Sequence, residues 1–136
     1  MSNKVTQAED IDYTGAVAEA LYLANLLFVG IFYMALWGLF LLTYKHVSQV
    51  SKNHLKQTLV ASSISTSIVI LLNLFVISTS GYASATALIT AEVYLMVIVP
   101  LFMIVGILGF IKAINGKDFK YPIIGSLLGI KAESEA

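Results

Sequence analysis

The chain has 136 residues, of which 58% are hydrophobic and 12% charged, with eight lysines, no arginine and eight acids for a formal net charge of zero. That charge fraction is about half of what a soluble domain carries, and the apolar residues are gathered in long runs, which marks a membrane protein. The lack of cysteine excludes disulfides, iron–sulfur clusters, thiolate metal sites and cysteine nucleophiles, and the lack of arginine argues against nucleic acid as a partner.

Residues 1–14 read as an acidic tail without the pattern of a secretory signal peptide, so the first hydrophobic segment is expected to be retained. The run AVAEALYLANLLFVGIFYMALWGLFLLTY, residues 16–44, reads as the first span. As one helix it would be about 43 Å long against a hydrocarbon core of about 30 Å, so its ends should project or it should tilt. A basic loop, 45–56, leads to a second span at 57–78, and a short uncharged loop, 79–85, leads to a third at 86–112. Residues 113–136 form a tail with a short interfacial helix over 122–130. The expected fold is an all-α integral membrane domain of three transmembrane helices plus that helix.

Lysine placement sets the expected orientation. Lys45, Lys52 and Lys56 lie in the first loop, and Lys112, Lys117, Lys120 and Lys131 follow the third span, leaving only Lys4 opposite. The N-terminus is therefore expected outside and the C-terminus in the cytoplasm, with the chain in the plasma membrane. Tyr13, Tyr22, Tyr44, Tyr82, Tyr94 and Tyr121 fall near the expected boundaries, as interfacial aromatics do.

Small and polar residues suggest how the spans associate. Ala16, Ala20 and Ala24 repeat at four-residue spacing, and Thr58, Ser62, Thr66 and Asn73 trace one face of the second helix. Counted at 1.5 Å per residue from the cytoplasmic ends, Asn25, Asn73 and Glu92 stand about 29, 24 and 30 Å up, one per helix at one level. They form a candidate interhelical polar cluster, with Glu19 about a turn and a half further out. Pro100 should kink the third helix by freeing the carbonyl of Met96. His46 and His54 fall in the basic loop without the carboxylates that usually accompany a metal. No nucleophile–base arrangement, phosphate loop or dinucleotide fingerprint is present. The sequence therefore points to no catalytic residues, no metal and no cofactor, and to a protein that is not an enzyme.

The third span closes on GILGFIKAINGKDFKYPIIG. Lys112 sits in the last turn, Asn115-Gly116 supplies a left-handed stop, and Tyr121-Pro122 suits a restart. Lys112, Lys117 and Lys120 are candidates for contact with lipid head groups or an acidic partner surface. The residues Lys112, Ala113, Asn115, Gly116, Tyr121 and Pro122 resemble the closing signature of a family of small prokaryotic membrane proteins. That family is related to a chloroplast inner-envelope import component and to magnetosome membrane proteins. The resemblance implies a helical membrane protein without known catalytic residues. The expected function is a non-catalytic accessory subunit of a larger membrane complex, such as a respiratory or other redox enzyme, with lipid and other membrane subunits as partners. The alternative is a homo-oligomeric transport or channel component whose second helix lines a wet path with Thr58, Ser62 and Thr66.

Overall fold

The computed structural model describes residues 12–79 and 81–130, and the regular structure among them is helical throughout. The expected acidic tail lies outside the described residues up to position 11, as does Lys131.

The first apolar run is not one helix. It forms α1, Thr14–Leu27, and α2, Ile31–Thr43, which fold back on each other around Phe28-Val29-Gly30. Gly30 has φ +110° and ψ −58°, a conformation that side chains with a Cβ avoid. Its N–H donates to Asn25 Oδ1 at 3.1 Å, so α1 supplies the cap of its own reversal. At the other end, Ser48 N–H donates to Asp12 Oδ2 at 3.0 Å and Gly15 N–H to Ser51 Oγ at 3.1 Å. Ala18 and Leu36 share a core cluster with Leu55 and Leu59, with Tyr44 and Val47 packed on it. The start of α1, the end of α2 and the start of the next helix are thus together, and the pair is an antiparallel hairpin.

This corrects two expectations. The 16–44 segment is a hairpin rather than a third long span, and Asp12 lies at the same end of the molecule as the C-terminal segment rather than opposite it. The physical reason lies in length and polarity. A run of about 43 Å overshoots the hydrocarbon core. Folding it at Gly30 also buries Glu19 and Asn25 against protein instead of presenting them to lipid.

Asp12 straps the base of the hairpin. Its Oδ1 accepts from Thr14 N–H at 3.0 Å, satisfying a free donor of the first turn of α1, while Oδ2 holds Ser48. Burial raises its carboxyl pKa, but the hydrogen bonds from Ser48 and Thr14 outweigh that and hold it at about 2, against 3.8 for a free side chain. A folded pKa below the unfolded one means the contribution is complete above pH 3.8 and is lost as pH falls through about 2. Asp12→Ala is expected to cost about 1 kcal/mol at neutral pH. Thermal melts of both proteins in detergent should show the difference shrinking over that acid range.

The next helix, α3, runs Gln49–Thr79, starting eight residues before the expected 57. Ser48 caps it, accepting from Ser51 N–H at 3.2 Å, so most of the basic loop is helical. Lys52 and Lys56 place their ammonium groups 5.5 Å from the centre of the Tyr44 ring. The chain returns through α4, Ala85–Val93, a π turn, Tyr94–Ile98, and α5, Val99–Ile114. Ser84 caps the start, accepting from Ala87 N–H at 3.2 Å. Pro100 cannot donate to Met96, and the strain is absorbed just before it, where Val99 N–H bonds Tyr94 O across a π turn. Helix α5 stops at Asn115-Gly116 as the motif predicts. Gly116, at φ +65°, donates to Ala113 O and Lys117 N–H to Lys112 O, the paired bonds of a Schellman turn. The interfacial helix is a single turn, α6, Ile124–Leu127, shorter than the expected 122–130. Two helical stretches, Gln49–Thr79 and Ala85–Ile114, are long and apolar enough to cross a membrane.

Candidate functional site

At the base of the bundle a polar cluster is sealed between α1, α3, α5 and the segment after α5. Glu19, on α1, and His54, on α3, both have 0% exposure. His54 Nδ1 meets Glu19 Oε1 at 2.6 Å, and His54 Nε2 donates to the carbonyl of Lys117 at 2.9 Å. That carbonyl can only accept, so Nε2 carries a hydrogen and the Glu19–His54 contact holds one proton between its two atoms. Tyr121 hydroxyl donates to Glu19 Oε2. Burial, with the Glu19 carboxylate beside it, pushes the Tyr121 phenol well above its ordinary pKa, which keeps it a donor.

A second ring of bonds fixes the segment that carries Tyr121. Gln57 Oε1 accepts from Tyr121 N–H at 2.6 Å, and its Nε2 donates to Phe119 O at 2.6 Å. Asn53 Nδ2 donates to Asp118 Oδ1 at 2.8 Å. Three side chains at positions 53, 54 and 57, on the turn of α3 that faces this segment, therefore hold its backbone and its acid. The spacing of His54, Thr58 and Ser62 at i, i+4 and i+8 continues the polar face upward under α1, where all three are fully buried.

Glycines let the backbones approach. A Cβ at position 109 would stand 2.6 Å from both carboxylate oxygens of Glu19, and one at 106 would stand 2.6 Å from the Tyr22 ring. Tyr22 hydroxyl donates to Phe102 O at 2.9 Å, tying α1 to α5 a turn above the cluster. Beside the two tyrosines a groove of about 480 Å³ opens between α3 and α5, lined by Ala61, Ile64, Leu101, Phe102, Val105 and Ile124 among others. Its walls are hydrocarbon, suited to an acyl chain and not to a polar substrate.

The cluster is saturated. Both imidazole nitrogens and both carboxylate oxygens are engaged by partners within the protein. Tyr121→Phe keeps the ring contacts to Tyr22 and Phe119, at 6.0 and 5.6 Å between centroids, and removes only the donor to Glu19. It is expected to cost about 1–3 kcal/mol, read by thermal unfolding in detergent, because a buried oxygen is left unpaired.

The residues singled out from sequence fare differently. Asn25 donates to Thr66 Oγ1 at 3.3 Å, while Asn73 donates to Val69 O and accepts from Tyr82 hydroxyl at 2.6 Å. Glu92 is exposed on α4. No hydrogen bond joins any two of these three among the described residues: α1 runs opposite to the direction assumed in counting its depth, which takes Asn25 to Thr66, and the Asn73 amide is taken by Val69 and Tyr82. Ala16 and Ser62 are buried between helices, Ala24 and Thr66 are half-buried, and Ala20 faces outward. Lys112 and Lys117 are exposed, and Lys120 is half-buried with its stem against Gly125. The principal site residues, Glu19, His54, Gln57 and Tyr121, were not in the expected set. Position 54 reads as loop once the helix is started at 57, and position 19 reads as remote from it once the first run is taken as one helix.

No curated protein and no solved structure matches the chain, whereas a family model does. The match is to a family pattern that covers residues 14–128, which takes in the hairpin, both long helical stretches and the segment carrying Tyr121. The chain belongs to the magnetosome magnetite crystal formation protein family, MamF_MmsF.

Proposed function

We propose that this protein is a non-catalytic structural subunit of a larger magnetosome membrane assembly, and that it serves magnetite crystal formation by organising membrane and partners rather than by turning over a substrate. The observation that carries this reading is the saturation of the buried cluster, in which every polar atom of Glu19 and His54 is spent on the protein itself. Such a cluster locks a hairpin to two spans, and among the described residues no serine, threonine or cysteine hydroxyl or thiol is bonded to the His54 imidazole for it to activate.

The same reading sets the membrane placement. Thr58 to Ser78 of α3 would rise about 31 Å, the thickness of the hydrocarbon core. Lys45, Lys52, Lys56, Lys112, Lys117 and Lys120 all lie at the base, which the positive-inside rule assigns to the cytoplasm. Asp12 is at that end too. The channel alternative finds less support, because Thr58 and Ser62 are buried under α1 and Thr66 is bonded to Asn25, so the three residues expected to line a path are occupied within the bundle.

Native mass spectrometry of gently solubilised magnetosome membranes tests this. Co-migration with other membrane proteins is the expected result. A homo-oligomer that conducts ions after reconstitution would overturn it, as would Glu92→Gln protein that assembles normally and fails in crystal formation.

A further inference from the structure

The bundle is lopsided along the membrane normal. On α3 the hydrocarbon region starts near Thr58, and Asn25 at the top of α1 pairs with Thr66, eight residues higher or about 12 Å. The hairpin turn at residues 28–30 lies about a turn above that, near 15–18 Å, which is the midplane of a core of about 30 Å. Below that level stand four helices, α1, α2, α3 and α5. Above it stand two, α3 and the stretch that begins with α4. Phe28 at the tip is 65% exposed and Ile31 and Met34 on α2 are 77% and 70% exposed, all facing where acyl chains would be. With helix diameters of 10–12 Å each extra helix occupies about 80–110 Å², so one leaflet carries about 160–220 Å² more protein than the other.

The lysine-rich face widens the same end. Ile123 and Leu127, 76% and 78% exposed, flank the single turn of α6 at the head-group level, beside Lys117 and Lys120. Apolar side chains at that depth, next to lysines, bind preferentially where lipid packing is loose and the surface is anionic.

We propose that the α1–α2 hairpin is a one-leaflet wedge, and that the protein concentrates on anionic membranes that are convex toward its lysine-rich face. The partner is the curved bilayer itself. This rests on the membrane placement given above, with both described ends on one side, and goes beyond the structural-subunit reading by assigning the protein a preferred membrane geometry.

The absence of native cysteine makes the test direct. Full-length protein labelled through K45C is reconstituted into vesicles of phosphatidylethanolamine and phosphatidylglycerol extruded to a small and a large diameter. Density per membrane area and the sidedness of the label are read on single vesicles. The expected result is a several-fold higher density on the small vesicles for molecules with the lysine-rich face outward, and none for the opposite orientation. In I31A/M34A/L41A, which trims exposed side chains of α2 without touching the buried cluster, the ratio should fall toward one. Equal densities at both diameters, or a ratio unchanged in the trimmed variant, would overturn the wedge. Failure of the placement is read separately with a membrane-impermeant maleimide. V29C should be shielded from both sides while A83C and K45C react from opposite ones, and V29C reacting from the A83C side would overturn the placement itself.

Discussion

His54→Leu is expected to destabilise the protein by about 3–5 kcal/mol, enough to lose most folded protein from the membrane fraction, because it strands a fully buried carboxylate beside a single remaining donor. The cost comes from breaking the pair and not from losing an attractive contact, and that distinction is measurable. In the triple variant E19M/H54L/Y121F the buried charge and its partners leave together, and only the Lys117 carbonyl, at the edge of the bundle, loses a donor. Well-packed apolar replacements of buried pairs are often neutral. The triple variant should therefore be more stable than His54→Leu alone. Denaturant titrations in one detergent compare them, and a triple variant less stable than the single would show that the cluster holds the fold by net attraction.

Gly109→Ala should cost about 1–3 kcal/mol, toward the upper end of that range, since an added methyl there meets an obstacle that cannot move. Its Cβ would lie 2.6 Å from both oxygens of a carboxylate pinned by His54 and Tyr121, so α1 must lift off α5. At Gly15 the neighbour is His54 Cβ at 3.2 Å, a milder conflict, and at Gly38 there is nothing within 4 Å. The expected order of thermal stability is Gly38→Ala at or above wild type, then Gly15→Ala, then Gly109→Ala. Gly38 sits mid-helix in α2, where alanine is favoured by about 0.5–1 kcal/mol. A Gly38→Ala protein as damaged as Gly109→Ala would mean that the outer face of α2 is covered by a neighbour.

Much of this architecture is legible in the sequence. The helical class, the two long apolar stretches, the stop at Asn115-Gly116 and the break near Pro100 follow from composition, caps and proline chemistry. The hairpin did not, although its cue was present: a run of about 43 Å, too long for the bilayer, with a glycine near its middle. Projecting ends and a fold at Gly30 both relieve the excess length, and only tertiary contacts separate them. That single choice carried the rest. With α1 reversed, Glu19 moves from the far leaflet to the base and meets His54, and Asn25 leaves the level it was expected to share with Asn73 and Glu92. His54 itself was hidden by where the second helix was started. Ser48 is a good capping residue with Ser51 three positions on, and starting the helix there places positions 51, 54, 58 and 62 on one face.

The long reach of the buried cluster also sets the timing of its assembly. Glu19 and His54 are synthesised early, whereas Tyr121 and the Lys117 carbonyl, which close it, come from the last segment before α6. At 5–20 residues per second the ribosome needs about 3–13 s to travel from position 54 to position 121. Throughout that interval the nascent hairpin carries a half-satisfied acid and imidazole at the membrane surface, and a chain that stops before Tyr121 keeps them so. A chain that reaches Tyr121 can satisfy both groups, and one that stops before it cannot.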